Sequence, residues 1–100
     1  MTHKSILSNI IERESRTALE EAIQSEYRKF GHDQYKDAYL DFGTVEFTTK
    51  DRLFQSFAVY IHQIGTPYNY VVIGYVTDTG FVHPTHWRDR TDNEWKKLAE

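Results

Sequence analysis

One hundred residues, 27% charged, 39% hydrophobic and 15% aromatic, describe one folded domain with a modest core and exclude wholesale disorder. A formal net charge of −3 excludes a general basic footprint for nucleic acid, and the absence of cysteine excludes disulfides and thiolate metal sites. No run approaches the ~20 apolar residues of a membrane span, and no signal-type apolar stretch precedes the first charges, so a soluble, cytoplasmic protein with no membrane partner is expected.

From Ser5 to Phe30, apolar residues recur three or four apart as Ile6/Leu7, Ile10/Ile11, Ala18/Leu19 and Ala22/Ile23, the stripe of an amphipathic helix. Ser15 occupies the one turn where the stripe lapses. Thr17-Ala18-Leu19-Glu20 has the form of a capping box, so two helices with a break near Ser15 to Thr17 compete with one continuous helix. Glu12 and Arg16 are ordered for an i,i+4 pair. Gly31 is the expected stop, followed by a polar connection over His32 to Asp37.

Next, AYLDFGTVEFTT alternates as a strand whose phase slips at Gly43. Leu40 and Phe42 share one parity, Val45 and Phe47 the other. A β-bulge at Gly43 restores one continuous apolar face. A charged turn, Thr49-Lys50-Asp51-Arg52, leads into the stretch Leu53 to Thr77, which contains no charged residue. Two β-type runs, Phe57 to Ile64 and Tyr70 to Thr77, flank Gly65-Thr66-Pro67-Tyr68-Asn69 and predict a hairpin with a five-residue loop.

With Ile64 opposite Tyr70, one hairpin face carries Phe57, Val59, Ile61, Val71, Ile73 and Tyr75 and is assigned to the core. The other carries Tyr60, His62, Ile64, Tyr70 and Val72. In that register Tyr60 lies across from Gly74 and its ring covers the bare backbone. A solvent-facing sheet surface normally carries charges, and this one has none. Either a protein partner or a second copy covers it, or Trp87, Trp95 and the C-terminal segment fold back over it.

After the turn Asp78-Thr79-Gly80, Pro84 marks FVHPTHWRDR as extended or irregular. Thr91-Asp92-Asn93-Glu94 predicts the cap of a short final helix bearing Trp95 and Leu98. The expected fold is therefore α+β: a long N-terminal helix packed on a three-stranded antiparallel β-meander, with a short C-terminal helix. That element order is similar to the order in double-stranded-RNA-binding domains, without that family's lysine-rich helix start.

Three chemistries compete. The residues favour a small non-enzymatic interaction or regulatory protein that needs no cofactor and makes protein–protein contacts, including self-association, through Tyr60, His62, Ile64, Tyr70 and Val72. The alternative is a nucleic-acid-binding module, in which Trp87, Arg88, Arg90, Lys96 and Lys97 stack bases and hold phosphates. The third is a metal-dependent enzyme with His83 and His86 as ligands, although Pro84 works against a helix that would bring both imidazoles onto one side. His62 has no acid close in sequence to orient it as a base. No Gly-x-Ser-x-Gly turn or phosphate-binding glycine loop is present.

Overall fold

The computed structural model describes residues 3–29, 40–50 and 54–98. One helix, α1 (His3–Lys29), precedes five strands: β1 (Leu40–Lys50), β2 (Phe54–Gln63), β3 (Asn69–Thr77), β4 (Val82–Asp89) and β5 (Lys96–Lys97). They form a single antiparallel sheet in the order β1-β2-β3-β4-β5. The fold is α+β, with two more strands than the expected meander. Among the described residues no helix is long and apolar enough to cross a membrane. Phe30, Gly31, the connection His32–Asp37, and Asp51 and Arg52 of the charged turn lie outside the described residues.

The helix runs unbroken through Thr17. Ile11, Ser15 and Leu19, spaced by four, are all fully buried, so Ser15 stands in the middle of the apolar stripe that it was expected to interrupt. Leu7, Ala18, Ala22 and Ile23 pack beside them. Below lies the helix-side face of the sheet: Leu40, Phe57, Val59, Ile61, Tyr70, Val72, Val76, Trp87 and, just after β5, Leu98. Arg16 and Glu12 form the expected i,i+4 pair at 3.7 Å on the outer side of the helix.

Strand β1 contains the bulge read from its parity. Phe42 pairs with Ile61 and Thr44 with Tyr60, leaving Gly43 as the extra residue, and Val45 and Phe47 then come opposite Val59 and Phe57. A second shift, between Phe47 and Thr49, has no counterpart in the sequence pattern.

The hairpin register differs from expectation, and the turn explains why. Thr66 N–H donates to the Gln63 carbonyl (3.3 Å) and Gly65 has φ +82°, which is a type II turn over Gln63–Thr66 with glycine at its third position. Gln63 N–H then reaches the Tyr68 carbonyl (3.1 Å), so the loop spans four residues, Ile64 to Pro67. Ile61, not Ile64, lies opposite Tyr70. A slip of three is odd, so it exchanges the faces of β3 relative to β2. Tyr70 and Val72 therefore point into the core (8% and 0% exposed), and Val71, Ile73 and Tyr75 share the other face with Tyr60 and His62.

Gly74 consequently pairs with Phe57, and Tyr60 pairs with Val71. A Cβ on Gly74 would come within 2.8 Å of both Phe57 Cζ and Pro84 Cα, and would meet the His83 carbonyl oxygen more closely still. Phe57, not Tyr60, covers the glycine.

The segment expected to be irregular forms β4, with a bulge of its own. Ile73 pairs with His86 and Gly74 with Pro84, so Thr85 is the extra residue, and its hydroxyl donates to the Ile73 carbonyl at 3.2 Å. Pro84 thus sits beside a bulge, a place in a sheet that tolerates its missing N–H.

The C-terminal helix does not form among the described residues. The Thr91 hydroxyl and N–H both turn back to Asp89 Oδ1 (3.0 and 2.9 Å), while Glu94 N–H donates to Asp92 Oδ1 (3.0 Å). The Glu94 N–H, which a capping box would give to the Thr91 hydroxyl, is thus taken by Asp92, and the box is not made. The chain instead enters β5, and Leu98 N–H closes on the Thr85 carbonyl at 2.9 Å.

Candidate functional site

The face of the sheet away from α1 is the main candidate surface. Across the strands its register positions form rows. The first holds Asp41, His62 and Asn69, with Arg90 tied to Asn69 through its N–H (2.9 Å). Next come Thr44, Tyr60, Val71 and Arg88, and then Glu46, Ala58, Ile73, His86 and Lys97. The last holds Ser56, Tyr75 and His83.

The middle of this face is apolar and already partly screened by its neighbours. Val71 and Ala58 are 4% and 5% exposed although α1 packs on the other face. Arg90 lies over the Tyr60 ring at 5.3 Å, and Arg88 lies 4.8 Å from the Trp95 ring while donating to the Asp92 carbonyl at 2.7 Å. The C-terminal segment thus covers one corner through Arg88 and Trp95. Trp87 takes no part in this: it is buried on the helix side, tilted against Tyr70 at 6.0 Å.

Elsewhere the face is open. Tyr75 and His83 stack at 5.0 Å with 28° between their planes, and Phe81 leans on the same imidazole at 6.3 Å. Phe81 and Tyr75 are 67% and 37% exposed, and Trp95, at the far corner, is 42% exposed.

Of the five residues expected to bind a partner, Tyr60 and His62 share this face. Ile64 lies in the hairpin loop and is exposed, whereas Tyr70 and Val72 are core. Tyr70 also spends its hydroxyl on Gln63 Oε1 at 2.8 Å. The expected patch is therefore not one surface. Val71, Ile73, Tyr75 and Phe81 take the places of the two core residues, and the i+2 preference of Gly65 was the signal that could have revealed them.

The cationic cluster divides as well. Lys96 sits on the helix side, with its ammonium 3.3 Å from Glu26 Oε2 and 4.7 Å from the centre of the Trp87 ring. It forms one side of a groove of about 330 Å³ between α1 and β4–β5 that Glu21, Ser25 and Glu26 also line. Arg88 and Arg90 belong to the opposite face, and Lys97, across from His86 in register, stands at the β5 margin, where it also borders this groove. The five residues proposed for nucleic acid thus flank the sheet from two sides.

His83 and His86 occupy register positions on the open face, on either side of the Thr85 bulge. Each ring is engaged. His83 stacks on Tyr75, and His86 Nδ1 donates to the Thr85 hydroxyl at 2.9 Å, which in turn donates to the Ile73 carbonyl. Among the described residues no three His, Asp or Glu side chains gather as a metal-binding group. His62 Nδ1 meets Asn69 Oδ1 at 2.9 Å, an amide oxygen in place of the carboxylate that a catalytic histidine uses. The Asn69 amide nitrogen donates to the Pro67 carbonyl (3.2 Å), which fixes that oxygen as the acceptor.

No protein-family model matches the chain, and no curated protein or solved structure does so either.

Proposed function

We propose that this is a small non-enzymatic interaction protein that makes protein–protein contacts through the open face of its sheet. The observation that supports this most is the row of rings at the Tyr75–His83–Phe81 end, with large apolar side chains exposed beside an apolar centre. Interface centres are enriched in aromatic residues and arginine and are bounded by polar rims. Here the rim is Thr44, Glu46, Arg88, Arg90 and Lys97. Among the described side chains, the imidazoles on this face stack on or hydrogen-bond to Tyr75, Thr85 and Asn69, contacts that orient rings, which favours binding.

The test is a pull-down from native extract with the wild-type chain and with Tyr60→Glu and Tyr75→Glu, each shown to be folded by circular dichroism. Loss of the captured protein in both variants supports the open face. Equal capture by all three chains moves the contact elsewhere and ends this reading.

A further inference from the structure

The open face is charged in opposite senses at its two margins. Glu46, exposed on β1, lies on one side, and Lys97, exposed on β5, lies on the other, in the same row with Ala58, Ile73 and His86 between them. β3 is the central strand of five. A two-fold axis between two facing sheets with aligned strands can run across the strands or along them. An axis across the strands sets β1 on β1 and brings like charges together. An axis along the strands, over β3, sets β1 on the partner's β5 and brings Glu46 to Lys97 twice, since a two-fold contact is self-complementary.

We propose that the partner of the open face is a second copy of this chain, docked about a two-fold axis parallel to the strands. This rests on the open face being the working surface. The same rotation carries the β4 side of the second row onto its β2 side. It therefore moves Trp95, beside Arg88, toward the partner's shallow hollow of about 90 Å³ bordered by Tyr60, His62, Asn69 and Arg90. Trp95 is a half-exposed ring next to a cation, and the hollow is a partly apolar recess edged by another ring. Tryptophan, tyrosine and arginine are the residues that most often anchor interfaces.

Area bounds the contact. Strands ~4.8 Å apart and same-face residues ~6.8 Å apart along them give a face of about 500 Å² in projection. Two such faces reach at most roughly 1,000 Å², since Ala58 and Val71 at the centre are already buried, and this lower limit for a specific interface fits a concentration-dependent dimer. It exchanges with monomer rather than forming an obligate pair.

The experiment is sedimentation or multi-angle light scattering across a concentration series, with Glu46→Lys, Lys97→Glu and the double reversal, all on exposed positions that leave the core intact. Each single reversal creates like-charge contacts in duplicate and is expected to weaken the dimer by about tenfold. The double variant restores wild-type association, and Trp95 fluorescence shifts to the blue as the wild-type dimer forms. A chain that stays monomeric to about millimolar concentration overturns the second copy but leaves the open face to its own pull-down test. A dimer indifferent to Tyr60→Glu and Tyr75→Glu overturns both. A dimer that needs this face but is not rescued by the double reversal overturns the proposed axis. Binding of a single-stranded oligonucleotide to the monomer, lost with rising salt, assigns the face to nucleic acid and overturns the dimer.

Discussion

The ring of Phe57 lies where a side chain on Gly74 would begin: a Cβ there comes 2.8 Å from Phe57 Cζ. The His83 carbonyl and Pro84 Cα close the same space from β4, so the site is bounded by backbone as well as by a ring. Gly74→Ala is expected to destabilise the fold by about 2–4 kcal/mol, at or beyond the upper end of ordinary overpacking, because backbone cannot swing aside as a side chain can. Urea denaturation measures it. Combining it with Phe57→Leu should recover only part of the loss, since the β4 backbone remains in place. A near-neutral Gly74→Ala would contradict the close pairing of β3 and β4.

Ser15 makes the opposite prediction. Its side chain is fully buried at the centre of the helix stripe, and among the described residues its hydroxyl has no hydrogen-bond partner. A buried unsatisfied hydroxyl costs about 1–3 kcal/mol, and serine is a poorer helix former than alanine by about 0.5 kcal/mol. Ser15→Ala gives up the hydroxyl and leaves a space of only one oxygen atom. The expected result is a gain of about 1–2 kcal/mol, seen as a higher urea midpoint with an unchanged slope.

Lys96 ties the last described strand to the helix. Its ammonium lies between Glu26 and the face of Trp87, and all three groups belong to different elements. The Lys96 and Glu26 side chains are 35% and 32% exposed, so the ion pair itself contributes only about 0–1 kcal/mol. The effect is local. Lys96→Ala should speed amide exchange at Leu98, whose N–H closes on Thr85, while leaving the β2–β3 ladder protected. Uniform acceleration across the sheet would show that β5 is integral to the global fold.

Arg88 and Arg90 are held by their own chain, one by Trp95 and the Asp92 carbonyl, the other by the Tyr60 ring. Lys96 is on the far side of the sheet. With Arg88, Arg90 and Lys96 divided between two faces and internally engaged, the protein is expected to show no salt-dependent binding to single- or double-stranded oligonucleotides at low ionic strength. Tight low-salt binding that weakens in Arg88→Ala and Arg90→Ala would reverse this.

The elements of the fold were largely legible in the sequence because they depend on local signals. The 3.6-residue stripe marked α1, the parity slip marked the Gly43 bulge, and Asp78-Thr79-Gly80 marked the β3–β4 turn, where Gly80 has φ +92°. The register of the hairpin was not legible. The same Gly-Thr-Pro-Tyr-Asn run fits a five-residue loop or a type II turn at Gly65, and the two choices send opposite sides of β3 into the core. Half of the candidate surface turned on that one decision. The C terminus failed for a related reason: Asp92, inside the capping box, takes the Glu94 N–H that Thr91 would have accepted. Pro84 read as a break because the bulge that accommodates it arises from pairing with Ile73 and Gly74, which local sequence does not record.

Every strand of this sheet lies beside the strand that precedes it in the chain, from β1 through β5. None of the pairings has to wait for a distant segment to arrive, so loop-closure entropy is met in small instalments. A zipper that starts at the Gln63–Thr66 turn can extend outward in both directions, with α1 closing over Val59 and Val72 once their strands are aligned. Folding of this molecule should therefore be fast for a β-rich domain, and a mutation at Gly65 should slow it more than one at Gly80, because the first turn sets the alignment that later strands inherit.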